Sequence, residues 1–234
     1  TKQTSQMKKS ISLLLLCTVL AMFNSCRNGA KEEFNVLDYG ACADGQTDCT
    51  DAFNRAITDC SRACGRVIVP EGRYLCGTIV LQNKVELFLQ RGSEILGDPN
   101  PDNYASFIPA HDLSKYDSGD GTVNQNNSRD ARWNKALILA NGVSDVRICG
   151  EGTINGRHVF DPLGEEYMRG PHCIIMGECR NVSVEGITIT CASNYAYMAY
   201  ALEDAVFRNV HITEGWDGIH IRGGRNILID GCTL

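Results

Sequence analysis

The sequence predicts an all-β fold, a right-handed parallel β-helix, and three observations carry that prediction. A short segment returns along the chain as Val182-Ser-Val-Glu-Gly-Ile-Thr-Ile189, Ala205-Val-Phe-Arg-Asn-Val-His-Ile212 and Ile227-Leu-Ile-Asp-Gly-Cys-Thr-Leu234, with starts 23 and 22 residues apart. Within each unit an apolar, often β-branched or aromatic residue stands at every second position, which is the period of a strand. A Gly, Asn or Asp stands where the chain must bend. A unit of this length cannot bury its inward face alone, so successive units must stack into a solenoid. A leucine-rich solenoid would need a Leu-rich consensus with a regular Asn and a helical period between strands, and neither is present.

The elements follow in order. Residues 1–6 precede Met7, the expected initiator. Met7-Lys8-Lys9 and the apolar run from Ile11 to Phe23 then read as an export signal, too short for a spanning helix. Asn24-Ser25-Cys26 places a cysteine after a small residue, which resembles a bacterial lipoprotein processing site. Residues 1–26 are therefore read as a leader, with Cys26 lipidated and the chain exported to the bacterial envelope or beyond. Residues 27–33 are a short linker, and residues 34–234 are the folded domain.

Residues 34–80 read as an opening cap. Phe34 begins a strand, and Ala43 to Asp48 is turn chemistry. Thr50 to Cys60 is helical, with Ala52, Phe53, Ala56, Ile57 and Cys60 on one face and Asp48 or Thr50 as N-cap. A solenoid end exposes core side chains and backbone, so a short amphipathic helix laid across it is the expected plug. Gly65 to Leu81 supplies the first strands, and Val85 to Ile95 and Val146 to Ile154 fit the repeat template. Residues 97–134 and 156–172 interrupt it as polar insertions. They read as walls beside a groove, where Tyr104, Tyr116, Trp133, Phe160 and Tyr167 either stack on sugar rings or pin the loops to the solenoid.

Composition excludes some partners. The chain has 22 basic and 28 acidic residues, and four of the basic ones (Lys2, Lys8, Lys9, Arg27) fall within residues 1–27. An acidic exterior argues against nucleic acid or anionic membrane as partner. It also gives no global steering toward an anionic polymer, which would need local basic residues. Of twelve cysteines, Cys17 and Cys26 fall in the leader. Cys42, Cys49, Cys60, Cys64 and Cys76 could pair as disulfides in an exported protein. Cys149, Cys173, Cys179, Cys191 and Cys232 read as small core hydrophobes. His111, His158, His172 and His211 show no ligand spacing and read as surface or loop residues. No metal and no cofactor is expected, and the domain reads as a monomer.

The run from Asn35 to Ile57, Asn-Val-Leu-Asp-Tyr-Gly-Ala-Cys-Ala-Asp-Gly-Gln-Thr-Asp-Cys-Thr-Asp-Ala-Phe-Asn-Arg-Ala-Ile, resembles the opening of the pectin-degrading β-helix superfamily. The run Glu214-Gly-Trp-Asp-Gly-Ile-His-Ile-Arg-Gly-Gly-Arg-Asn-Ile-Leu-Ile-Asp-Gly-Cys232 resembles the first catalytic block of family 28 glycoside hydrolases, the polygalacturonases. The family's usual Asn-Thr-Asp-Gly stands here as Gly215-Trp216-Asp217-Gly218. The resemblance implies an inverting hydrolase of pectic or related polysaccharide, with Asp217 in the pair of carboxylates that activates water. It further implies an Asp-Asp pair, a Gly-His turn and an Arg-x-Lys strand beyond Leu234, so residues 34–234 read as an incomplete domain, inactive alone. Strict alternation would bury Asp217 beside Ile219 and Ile221, whereas a bend at Gly215 and Gly218 would expose it; the exposed geometry is expected, since an unpaired buried Asp is costly. His220, Arg222 and Arg225 form a cationic cluster, with His220 and Arg222 as candidate substrate-binding residues and Arg222 able to grip a uronate carboxylate. An ion pair of that cluster with Glu203 or Glu214 is the competing reading. Calcium-dependent lyase chemistry and carbohydrate binding without turnover are the alternative functions.

Overall fold

A computed structural model describes residues 31–117 and 127–234. The leader, with Cys26, lies outside the described residues. The strands stack coil on coil in parallel ladders, and the chain is a right-handed parallel β-helix, the hand expected of parallel crossovers. One face stacks Asp44–Asp48, Gly72–Cys76, Ser93–Gly97, Thr153–Asn155, Thr188–Thr190 and His211–Thr213. A second runs through Glu33–Asn35, Arg66–Val69, Glu86–Leu89, Ser144–Gly150 and Arg180–Glu185. A third holds Ile79–Val80, Ala136–Asn141 and His172–Gly177. The long strands Tyr197–Arg208 and Ile219–Asp230 serve both the second and third faces. Tyr197–Arg208 passes Ala201 in a left-handed conformation (φ 50°), so its first residues pair with His172–Gly177 and its last with Arg180–Glu185.

The alternation seen in the sequence becomes columns. Val67, Leu87, Ile148, Val184 and Phe207 occupy one level of successive coils, each the register partner of the next, and all are buried. Tyr74, Ile95, Ile154, Ile189 and Ile212 form the equivalent column on the first face. Repetition at one level is what the returning segment encodes: a residue that points inward in one coil is covered by its counterpart above and below.

The helix Thr50–Ala63 buries Ala52, Phe53, Ala56, Ile57 and Cys60, the face read from the sequence. Its N-cap is Cys49 rather than Asp48 or Thr50. Asp48 still acts there, because its Oδ1 accepts from the Thr50 amide at 2.9 Å and the Thr50 hydroxyl at 2.5 Å. The disulfide expectation is corrected. No disulfide joins the described cysteines, and Cys49, Cys60 and Cys76 are buried in the core instead.

The first insertion does more than wall a groove. Phe107, Leu113 and Trp133 lie over the outward side of the third face and form a second apolar cluster with Leu139, Ile175, Tyr195, Met198 and Tyr200. That outward column continues through register partners Leu139, Ile175, Met198 and then His220. His220 and Arg222 therefore stand where the apolar cover gives way to half-exposed positions.

Candidate active site

The site is built on the bend that joins His211–Thr213 to Ile219–Asp230. Glu214 is left-handed (φ 52°), and a Cβ on Gly215 would fall 2.8 Å from the Ala192 Cβ, so only glycine allows the chain to pass there. The bend is bolted to the preceding coil: the Ala196 amide donates to the Asp217 carbonyl and the Tyr197 amide to the Gly218 carbonyl, each at 2.9 Å. The Asp217 side chain is exposed, which agrees with the geometry expected from Gly215 and Gly218. Its carboxylate lies near the Tyr195 hydroxyl. Burial, then the Asp217 and Glu165 carboxylates, push that phenol up to about 12, so it remains a donor.

Tyr195 organises the rest. The His220 ring lies nearly parallel on it, centroids 4.8 Å apart and planes at 19°. Arg222 Nε donates to His220 Nε2 at 3.1 Å, and an Arg222 terminal nitrogen donates to the Tyr116 carbonyl at 3.3 Å. His220 Nε2 is thus an acceptor, and the neutral imidazole carries its proton on Nδ1. Burial and the Arg222 cation both hold the His220 pKa below its ordinary value, against the opposing pull of Asp217. The ion pair of the cluster with Glu203 forms at Arg225 and not at Arg222. Glu203 is held by Arg180 at 3.1 Å and Arg225 at 2.9 Å, while Glu214 faces His158. Arg225 leaves the cationic cluster on the same account.

Several residues of this site escaped the sequence. His172, read there as a surface or loop histidine, is fully buried. Its Nε2 donates to the Trp133 carbonyl at 2.9 Å and its Nδ1 accepts from the Tyr195 amide at 3.1 Å, which fixes one neutral tautomer. Burial pulls the imidazole down to about 3. Its ring and Tyr195 both meet Trp133 edge-on, at 4.6 and 5.2 Å. Trp216 is 48% exposed, with the Arg169 guanidinium 4.1 Å above its ring. Arg169 in turn pairs with the buried Glu165 at 3.5 Å and with Glu166 at 3.0 Å. The one sequence signal for Trp216 was its place next to Asp217.

Of the aromatics considered for sugar stacking, Tyr104 and Trp133 are buried and pin the first insertion. Phe160 and Tyr167 are open to solvent on the second. Two larger hollows, of about 380 and 460 Å³, lie elsewhere. Their charges are matched internally, Arg129 by Asp112 and Arg180 by Glu203. Asp217 lines a smaller one of about 120 Å³ with Trp216, Ala196 and Leu234. On the neighbouring turns, His158, Cys191 and Glu214 bring three potential metal-ligand atoms within 4.8 Å of one another.

The bend presents the Asp217 carboxylate and the Trp216 indole, and the Arg222 guanidinium stands on the strand that follows. Residues 33–234 match the family described as rhamnogalacturonase A/epimerase, pectate lyase-like, and the chain belongs to that family. It is similar to an exo-poly-α-D-galacturonosidase of Dickeya chrysanthemi, 32% identical over 122 residues, covering 52% of this chain and 19% of that protein. It is also similar to a probable polygalacturonase of Vitis vinifera, 30% identical over 222 residues, covering 90% of this chain and 38% of the other. The chain thus spans well under half the length of either relative. Among solved structures, the family 28 exopolygalacturonase of Yersinia enterocolitica superposes with a TM-score of 0.71 at 21% identity, over 88% of this chain and 44% of that one. These relatives bear out the polygalacturonase resemblance read from the sequence.

Proposed function

We propose that this chain forms part of the substrate groove of an inverting glycoside hydrolase that acts on pectic or related polysaccharide. The observation that carries the reading is Asp217, exposed on a glycine-dependent bend near Tyr195, His220 and Arg222. Inversion uses two carboxyl groups, roughly 6.5–9.5 Å apart, one protonating the leaving oxygen and one activating water. Asp217 takes the water-activating role. Arg222, oriented by His220 and the Tyr116 carbonyl, grips the uronate carboxylate, and the open Trp216 ring offers a stacking face. Asp217 cannot serve both sides of the bond, so the chain is expected not to turn over substrate without a second carboxyl group at that separation.

The test is binding of oligogalacturonate, compared with an uncharged oligosaccharide of equal length, by isothermal titration. The acidic ligand should bind, Arg222→Ala should weaken it about tenfold, and Asp217→Asn should leave it in place. Equal binding of the uncharged ligand would sink the uronate assignment. Hydrolysis by the purified chain, abolished in Asp217→Asn, would overturn the expectation of no turnover while supporting the role of Asp217. An unsaturated product would instead mark elimination. The same reading places the chain outside the cytoplasm as a monomer, anchored through acylated Cys26. A membrane extract yielding the intact leader and an unmodified Cys26 would refute the anchor.

A further inference from the structure

Three side chains from three separate turns bring a nitrogen, a sulfur and an oxygen to one place. His158 Nε2 lies 3.6 Å from Glu214 Oε2, and Cys191 Sγ lies 3.4 Å from the same oxygen. All three donor atoms fall within 4.8 Å of one another. A tetrahedral cation with bonds of about 2.0–2.3 Å holds its ligand atoms roughly 3.3–3.8 Å apart along each edge. Both measured separations match such an edge. The His158 to Glu214 separation also exceeds a direct hydrogen bond, so the gap is not already closed by one.

The backbone holds the three in register. His158, Cys191 and Glu214 are non-glycine residues in the left-handed region, at φ 49°, 52° and 52°. The His158 amide donates to the Cys191 carbonyl at 2.9 Å, the Cys191 amide to the Thr213 carbonyl at 3.3 Å and the Ala192 amide to the Glu214 carbonyl at 3.0 Å. The same turn is therefore stacked on adjoining coils, and its side chains leave on the same side. Behind the sulfur, the Thr190 hydroxyl lies 3.6 Å away and accepts from the Thr213 hydroxyl at 3.1 Å. Such outer hydrogen bonds orient a metal-bound thiolate. The ligand side chains of His158 and Glu214 are 53% and 69% exposed, which leaves a path for an ion and room for water.

We propose that His158, Cys191 and Glu214 bind a divalent cation of the zinc type, with water in the fourth position. Imidazole, thiolate and carboxylate together suit zinc, whereas calcium and magnesium take oxygen ligands. On binding, the Cys191 thiol loses its proton to solvent and the sulfur bonds the ion. The ion clips the start of the second insertion to the bend that carries Trp216 and Asp217, three residues beyond Glu214. This site does not depend on the glycosidase reading.

The chain, reduced and stripped with a chelator, is titrated first with Co²⁺ and then with Zn²⁺. Co²⁺ should produce a sulfur-to-metal charge-transfer band and tetrahedral visible bands, and Zn²⁺ should displace it at one ion per chain. Cys191→Ser should abolish the charge-transfer band, His158→Ala and Glu214→Gln should each weaken binding at least tenfold, and Cys42→Ser should change nothing. A band that survives Cys191→Ser, or no binding at all, overturns the proposal. Should a variant fail to fold, alkylation of the unsubstituted chain decides: Zn²⁺ should slow modification of Cys191 at least tenfold and leave the exposed Cys42 unaffected, and equal rates at Cys191 with and without Zn²⁺ refute the site.

Discussion

At the scale of single residues, the side chain with the most to lose from a change of conditions is His172. It donates to the Trp133 carbonyl and accepts from the Tyr195 amide, and the second bond requires the neutral ring. Its folded pKa of about 3 lies far below the ordinary 6.5. Above the ordinary value neither folded nor unfolded chain holds the proton, and the stabilisation is complete. As pH falls from about 6.5 toward 3 the unfolded chain binds a proton that the folded chain refuses, so stability drops by up to about 1.4 kcal/mol per pH unit. His220, also shifted down, adds a smaller contribution of the same sign. Denaturant unfolding between pH 6.5 and 5, above most carboxylate titrations, should show this loss. His172→Asn keeps an acceptor for the Tyr195 amide and gives up the bond to Trp133, so it should be less stable at pH 7 but flatter with pH. An unchanged slope would mean that His172 is not the titrating group. Its position was invisible in the sequence because its burial comes from Trp133 and Tyr195, 39 and 23 residues away.

At the scale of elements, each coil depends on its neighbours. Phe207 is buried in the column between Val184 and Ile229 and meets Tyr197 edge-on, centroids 4.8 Å apart at 83°. Phe207→Ala should cost about 3–5 kcal/mol. The loss should be local, because a solenoid coil contacts little beyond the coils beside it. Amide exchange should accelerate first in Tyr197–Arg208 and Ile219–Asp230 and least in Arg66–Val69; uniform acceleration would contradict nearest-neighbour stability. The same locality explains what could be read in advance. Ala52, Phe53, Ala56, Ile57 and Cys60 share a helix face by spacing alone, and the bend at Gly215 and Gly218 exposes Asp217 by chain chemistry alone. The His158, Cys191 and Glu214 cluster joins three turns with no common spacing, and the cover of Phe107 and Trp133 on the third face is set by where an irregular insertion folds back. Alternation reveals which side of a strand faces in, but not what an insertion lays over the other side.

At the scale of the whole molecule, charge and proposed ligand oppose one another. The chain carries a formal charge of −6, and a galacturonan is a polyanion, so the long-range field repels the substrate that Arg222 would grip. The two effects act over different distances. Screening shortens the reach of the global field from about 30 Å at 0.01 M salt to about 8 Å at 0.15 M. Arg222 is half-buried, and a direct contact with a carboxylate is screened much less. Added salt should therefore raise the association rate for oligogalacturonate over this range, the reverse of the usual behaviour of a basic binding groove. The dissociation rate should change less. Stopped-flow association at several salt concentrations, with an uncharged oligosaccharide as control, separates the two distances. A rate that falls with salt would mean that a local cationic field already dominates encounter, and that the groove steers its ligand despite the acidic exterior. A rate that rises would show capture by contact, with Arg222 acting after the polymer has reached the bend.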